Sequence, residues 1–411
     1  MKIKLLISAL LALLLFSCTK NIKPTAPSKI PRIRVLLGNV QKRDSLQLQG
    51  KFTLKLEEAV YELGRHNPFF YLSLSKNGFK LYNRNRLFVF GFKDVVHLSP
   101  SDPANNRFKF RNKWYKGKII LRRSAQGLLN VINVVDLESY LKSVVVGEMP
   151  SKNKAYLEAL KAQAICARTY ALNKMAARRR QAFDVYADIN DQVYAGLSSQ
   201  TPLATQAVET TKGVVLQYGD SLAQIYFHST CGGISEDPAD LWGKTPSPPY
   251  LKVHKDVLGR QFTCAPSPYF RWQRFFTFRQ IDSLFSTFFH HPSLISGAKD
   301  TLHLQCRFKV LQRSASGRVK RLQIDYADTT VVLRNFEIRR FFSKFKSGTL
   351  PSLLFTLSAR NDSVLAITGG GYGHGIGLCQ WGALNMSRQG FKYYDILVNQ
   401  YFPGTYLKRI Y

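Results

Sequence analysis

Three groups of residues have the types and spacing for chemistry. The first is Glu148, in Val144-Val145-Val146-Gly147-Glu148-Met149-Pro150. An apolar, strand-like run ends there in a carboxylate, a proline marks a boundary, and a helical pattern follows. A carboxyl group kept from water has its pKa raised, which suits a general acid. The second group is the glycine-rich stretch Gly369 to Ala383, along which Tyr372, His374, Gln380 and Trp381 are spaced. It lacks the strand–Gly-x-Gly-x-x-Gly–helix setting of a dinucleotide site and has no P-loop lysine. Its aromatic faces and amides suit the stacking and hydroxyl contacts of a sugar groove; a tight structural turn, with His374 a satisfied hydrogen bonder, is the open alternative. The third group is His228-Ser229-Thr230-Cys231-Gly232-Gly233, with Cys264 further on. One histidine and two thiols are three zinc ligands, but a structural site wants four and no fourth stands out. Ser229 lacks the glycine-flanked elbow of a serine hydrolase.

The elements that must position these residues divide along the chain. From Ile33 to about Gly127, short β-branched and aromatic runs alternate with Gly- and Asn-containing turns: Arg34–Leu37, Phe69–Leu74, Leu87–Phe90 and Ile119–Leu121 read as strands. Leu129–Val135 is another strand, and Asp136 is a cap for a short helix to Leu141. Leu157, Leu160, Ala164, Ala167 and Ala171 fall at helical spacing and predict an Ala-rich helix running to about Arg180. Gln206 to Gly213 reads as a short helix with a C-cap glycine, and Val214–Tyr218 with Ala223–His228 as a hairpin. Glycines and prolines crowd 232–268. Short strands return from 269 to 365, with a helix near Phe278–Phe285. The fold class expected is α+β, mixed and strand-rich, with the Ala-rich helix following the candidate acid.

The chain has 411 residues, room for more than one ordinary domain. Met1-Lys2-Ile3-Lys4, the apolar run Leu5–Phe16 and then Cys18 have the pattern of a lipoprotein signal, with cleavage before an acylated Cys18. Residues 1–17 are then the signal peptide and 18–32 a polar tether. That places the body outside the cytoplasm, anchored to a membrane and facing the periplasm or cell wall. There a Cys231–Cys264 disulfide is the simpler reading and zinc the alternative. Net charge is +33, from 59 Lys and Arg against 26 Asp and Glu. Arg107–Lys118 and Arg334–Lys346 mix bases with aromatics, which in isolation would suit nucleic acid. Export argues against that partner and for wall polymers or anionic headgroups.

These blocks, in this order, resemble the SpoIID/LytB family of bacterial cell-wall proteins: Leu137-Glu138-Ser139-Tyr140-Leu141, Gly147-Glu148-Met149-Pro150, Ala159 to Tyr170, Tyr226 to Gly233, Pro249-Tyr250-Leu251, Ser316-Gly317-Arg318-Val319, the glycine loop and Tyr401-Phe402-Pro403-Gly404-Thr405. The resemblance runs from about Ile33 to the C-terminus, with 33–127 as a strand-rich N-terminal region and 128–411 as the family-like catalytic region, carrying an insertion at about 234–365. It implies a peptidoglycan lytic transglycosylase with Glu148 as single acid and base, and Tyr372, His374, Gln380, Trp381 and Arg168 as candidates for lining the groove. No cofactor is required, although some relatives carry zinc held by His and Cys; here His228, Cys231 and Cys264 match that description. The family also contains amidase enhancers, so a wall-binding partner of an amidase is the alternative function.

Overall fold

The structure is a computed structural model that describes residues 29–64, 68–75, 78–83, 89–243, 246–289, 306–326, 328–343, 349–361 and 364–411, without the side chains of 359–361. The signal peptide, Cys18 and the tether up to residue 28 lie outside these residues. The protein is of mixed α+β class. No helix among the described residues is long and apolar enough to cross a membrane.

The N-terminal strands form two sheets. One runs in the order Val185–Tyr186, Arg32–Val40, Leu129–Asp136, Lys118–Arg123, Val95–Pro100, Phe52–Leu56, Ala59–Leu63; the other runs Lys113–Lys116, Arg107–Phe110, Arg43–Gln49, Phe69–Ser75, Gly78–Asn83, Val89–Phe92. Alternate residues are buried, as in Phe52 and Leu54, Phe70 and Leu72, Phe108 and Phe110, or Ile119 and Leu121. That is the period-two signature of strands with one face on a core. Because Leu129–Asp136 pairs with both Arg32–Val40 and Lys118–Arg123, the first sheet continues directly into the helical layer.

Helix α1 is Leu137–Glu148, and the Asp136 side chain caps it by accepting from the Ser139 amide at 2.9 Å. The strand expected at Val144–Val146 is instead the last turn of this helix. Val144 and Val145 are fully buried there, and tertiary burial overrides the modest helix penalty of β-branched side chains. Helix α2, Leu157–Ala177, is buried along nearly all of Ala159–Ala171. Its alanines let α1, helix α3 (Pro202–Thr210) and, on another side, a C-terminal helix approach closely. Helix α3 begins earlier than expected, with Pro202 in its first turn behind a Thr201 cap, and its C-cap is Thr211 instead of Gly213. The expected hairpin also differs: Val214–Tyr218 pairs with Ser221–Leu222 and with Tyr406–Arg409, while Phe227–His228 pairs in parallel with Leu378–Cys379.

The remaining chain contains helices α4 (Pro238–Trp242), α5 (Phe278–Phe289) and α6 (Phe336–Phe342), with two three-stranded sheets. Phe285 of α5 stacks on Tyr326 with ring centroids 4.1 Å apart. Helix α7, Gln380–Arg388, then returns to pack on α2.

Arg168 lies inside this helical layer, fully buried. Its Nε and Nη2 donate to the two oxygens of Glu138 at 2.7 and 2.8 Å, and its Nη1 to the Val214 carbonyl at 2.9 Å. Tyr411 Oη adds a bond to Glu138 at 2.5 Å. The pair joins α1, α2, the Val214 strand and the C-terminus. Arg168→Ala strands a buried carboxylate, so a loss of about 3–5 kcal/mol is expected by denaturant titration. Glu138→Gln combined with Arg168→Met should recover most of it, because no uncompensated charge is left.

Candidate active site

Glu148 is the last residue of α1, at the negative end of the helix dipole, which disfavours a second negative charge. The preceding glycine sets its surroundings. A Cβ on Gly147 would press on the carbonyl oxygen of Val193, so only glycine lets the 191–194 backbone run against α1. That approach delivers the Val193 amide to Glu148 Oε1 at 2.9 Å. Gln380 Nε2 reaches Oε2 at 3.4 Å. Among the described residues no Lys, Arg or His forms an ion pair with Glu148. Burial raises its pKa above the ordinary glutamate range, and the two hydrogen bonds only partly offset this.

The segment that supplies Val193 is itself anchored. Asp191, with its side chain fully buried, binds Arg178 at 2.6 Å and Lys174 at 3.0 Å, and accepts from Tyr170 Oη and the Tyr186 amide. These partners hold its pKa down. Asp191 is therefore committed to positioning, and Tyr140, whose Oη bonds Gln192 at 3.1 Å, fixes the next residue.

The glycine stretch does not lie open as one groove wall. It is laced to 226–231: Thr230 and Tyr372 exchange backbone bonds at 2.8 and 3.0 Å, Leu378 donates to the Tyr226 carbonyl, and Trp381 donates to the Ser229 carbonyl. Gly375, at φ +86°, faces the buried Arg318 guanidinium, which a Cβ would strike. Of the five groove candidates, Gln380 is the one bonded to Glu148. Tyr372 is exposed and packs at a tilt against Tyr269, itself exposed, with ring centroids 4.6 Å apart. Tyr269 was not found in the sequence because it lies over a hundred positions away in an irregular stretch. Trp381 is half-buried against the core.

Two of those candidates are corrected. Arg168 is sealed in the Glu138 pair and cannot touch a glycan. His374 accepts from the Ile376 amide at 3.0 Å through Nδ1 and is boxed by the rings of Tyr226, His228 and Trp242. Burial pushes its pKa down to about 4, and it acts as the satisfied hydrogen bonder of the structural alternative.

The third group is also rearranged. Cys231 and Cys264 are free thiols with sulfurs 3.4 Å apart, so the expected disulfide is absent. His228 is not with them: its Nδ1 faces the Ile376 carbonyl at 3.1 Å, and its buried Nε2 has no partner among the described residues. The set expected from family resemblance therefore does not converge. Instead Cys231, Cys264, Cys379 and Asp256 gather, their ligand atoms all within 4.8 Å of one another. Hydrogen bonds from Cys231 and Cys379 push the Cys264 thiol down to about 3, whereas burial raises Cys231 and Cys379. Neither Asp256 nor Cys379 could be paired with Cys231 from sequence, since each is brought in by long-range backbone pairing.

The fold and site thus define a mixed α+β domain in which one half-buried glutamate of raised pKa ends a helix. A family model described as Stage II sporulation protein matches residues 125–218, which hold α1, Glu148, α2 and α3; a second, described as a domain of unknown function, matches 239–377. The chain is 28% identical to the Stage II sporulation protein D of Bacillus subtilis over 286 residues, 66% of this chain and 74% of that protein. It is 30% identical to the amidase enhancer of the same organism over 302 residues, 65% of this chain but 40% of the enhancer. An uncharacterized protein of Brachyspira hyodysenteriae is 29% identical over 276 residues, 67% of each chain. The family-model match over residues 125–218 and these relatives support the SpoIID/LytB family for this chain.

A glutamate whose folded pKa is raised favours the fold only while protonated. The penalty is absent below about pH 4.3, where the unfolded side chain is also protonated, and grows as pH rises toward the folded pKa. Glu148→Gln keeps the acceptor for Val193 and removes the penalty. Its Tm at pH 7 should therefore equal or exceed that of the parent, with the difference disappearing near pH 4. A lower Tm at pH 7 than at pH 4, relative to the parent, would contradict the raised pKa of Glu148.

Proposed function

We propose that the protein is a peptidoglycan lytic transglycosylase in which Glu148 is the single acid and base. The observation that carries this is the state of Glu148: half-buried at a helix C-terminus with its pKa raised by burial, free of ion pairs among the described residues, and fixed by one amide and one side-chain amide. A protonated carboxyl so placed can donate to the oxygen bridging N-acetylmuramic acid and N-acetylglucosamine as that bond breaks. Positive charge develops at the anomeric carbon. The resulting carboxylate, steadied by the Val193 amide, then takes the proton of the muramic acid C6 hydroxyl as it closes on that carbon. The product is a 1,6-anhydro end. Because the nucleophile belongs to the substrate, no second carboxylate is needed to activate water, and Asp191 is left to its positioning role.

The exposed Tyr269–Tyr372 pair offers a face for a sugar ring, and the strong positive charge suits an anionic wall polymer. The cluster of Cys231, Cys264, Cys379 and Asp256 has donors for a thiophilic cation whose place would be structural; the steps above are carried by the chain's own groups. Acylation at Cys18 would hold the body at a membrane outside the cytoplasm.

Purified glycan strands incubated with the protein should yield anhydro-muropeptides detectable by mass spectrometry, and Glu148→Gln should yield none. Gln380→Ala removes a hydrogen bond that favours the carboxylate, so the alkaline limb of the pH–rate profile should move upward. Persistence of product in Glu148→Gln would overturn the assignment. The second reading, a wall-binding partner of an amidase, is favoured by the named enhancer among the relatives. Sedimentation with the wall and stimulation of a separate amidase, without any anhydro product, would select it.

A further inference from the structure

We propose that Cys231, Cys264, Cys379 and Asp256 bind one thiophilic divalent cation, zinc by preference, and that this site clasps the start of α7 to the turns at 231–233 and 262–264. The four donors come from separate stretches and converge in a fully buried spot. Cys231 Sγ lies 3.4 Å from Cys264 Sγ and 3.0 Å from Asp256 Oδ2. A tetrahedron with zinc–sulfur bonds of about 2.3 Å has edges of roughly 3.8 Å, so small movements would centre an ion. Three sulfurs and one carboxylate are a soft, tetrahedral donor set.

Charge supports the same conclusion. Asp256 is fully buried, and among the described residues no Lys or Arg pairs with it. Its donors, the Cys231 thiol, Tyr401 and Gln400, are all neutral, so a bound cation would supply the countercharge that the buried carboxylate lacks. Arg318 runs nearby, but its bonds end on the carbonyls of Cys231, Ile234 and Ser235 and on Ser316. A disulfide between Cys231 and Cys264 would leave Cys379 beside Asp256 with nothing gained.

The surroundings are those of ligands already oriented. The Cys231 amide donates to Cys379 Sγ and the Gly233 amide to Cys231 Sγ, both at 3.3 Å. Gly232 and Gly233, at φ +78° and +99°, form the left-handed turn that aims such amides at sulfur. Tyr401 Oη and Gln400 Nε2 donate to Asp256 Oδ1 at 3.1 and 3.0 Å. That fixes the carboxylate with Oδ2 toward the sulfurs, as outer partners of metal ligands do. Cys379 directly precedes Gln380, so the clasp would also fix the residue that touches Glu148.

The test uses the full chain, purified in detergent under reducing conditions without chelator and loaded with zinc alone or cobalt(II) alone. About one metal ion per chain is expected by elemental analysis, and the cobalt form should show thiolate charge-transfer and tetrahedral d–d absorption. Stripping the metal should lower Tm and expose Cys231, Cys264 and Cys379 to alkylation followed by mass spectrometry, a readout on the parent chain that needs no variant to fold. Cys379→Ser and Asp256→Asn should weaken loading, whereas His228→Gln should leave it unchanged. The proposal is overturned by failure to load metal with all three thiols reduced, by alkylation of the three thiols that zinc does not slow, or by metal that depends on His228 and not on Cys379.

Discussion

The backbone of 191–194 must lie directly against the last turn of α1, and the absence of a side chain at Gly147 makes this contact feasible. The consequences reach outward. The Val193 amide arrives at Glu148, solvent is displaced from one side of the carboxyl, and its pKa rises. To hold that contact, Asp191 draws Tyr170 and Lys174 from the far half of α2 and Arg178 from its C-cap. The buried Arg168–Glu138 pair then fixes α2 relative to α1. A half-buried carboxyl beside a moving loop would gain water and return toward an ordinary pKa, so the raised pKa depends on the rigidity of the helical layer.

The opposite side of Glu148 is set by a chain segment more than two hundred residues away. Gln380 reaches it from the first turn of α7, and α7 is positioned twice: by packing on α2 and by the lacing of 370–381 to 226–231. The glycines make that lacing possible by letting two backbones and the Arg318 guanidinium pass within contact distance. The stretch is accordingly a structural seam, and its one outward aromatic, Tyr372, is the side chain with an exposed face to offer.

What could be read in the sequence was what depends on local pattern. The Asp136 cap, the strands with alternating burial and the Ala-rich helix all express themselves within a few residues. The valines at 144–146 misled because β-branching favours strands only when nothing else decides, and here burial against neighbouring helices decides. Arg168 looked available because charge in a helix is usually solvated; its partner Glu138 lies thirty positions back and on another helix. His228 and Cys231 lie three positions apart and so suggested one site, yet parallel pairing of Phe227–His228 with Leu378–Cys379 turns the histidine away and brings Cys379 in. Chemistry assembled by long-range pairing leaves no local signal beyond the residue types themselves.

The large positive charge bears on the proposed acid in a way that separates near effects from far ones. A surrounding excess of Lys and Arg favours the ionised carboxylate and would lower its pKa. Yet the pKa of Glu148 moves up, with burial the largest cause. Surface charges beyond about 8 Å are screened at physiological salt, whereas desolvation acts at the group itself and is not. The net charge is therefore free to serve attraction to an anionic polymer without titrating the acid, provided the cations stay out of the pocket. The structure meets that condition through pairing: Arg168 with Glu138, Arg178 and Lys174 with Asp191, and Lys161 with Glu158. The cations of α2, the helix that follows Glu148 in the chain, are each tied to another carboxylate, and the acid is left to the field of its own helix end.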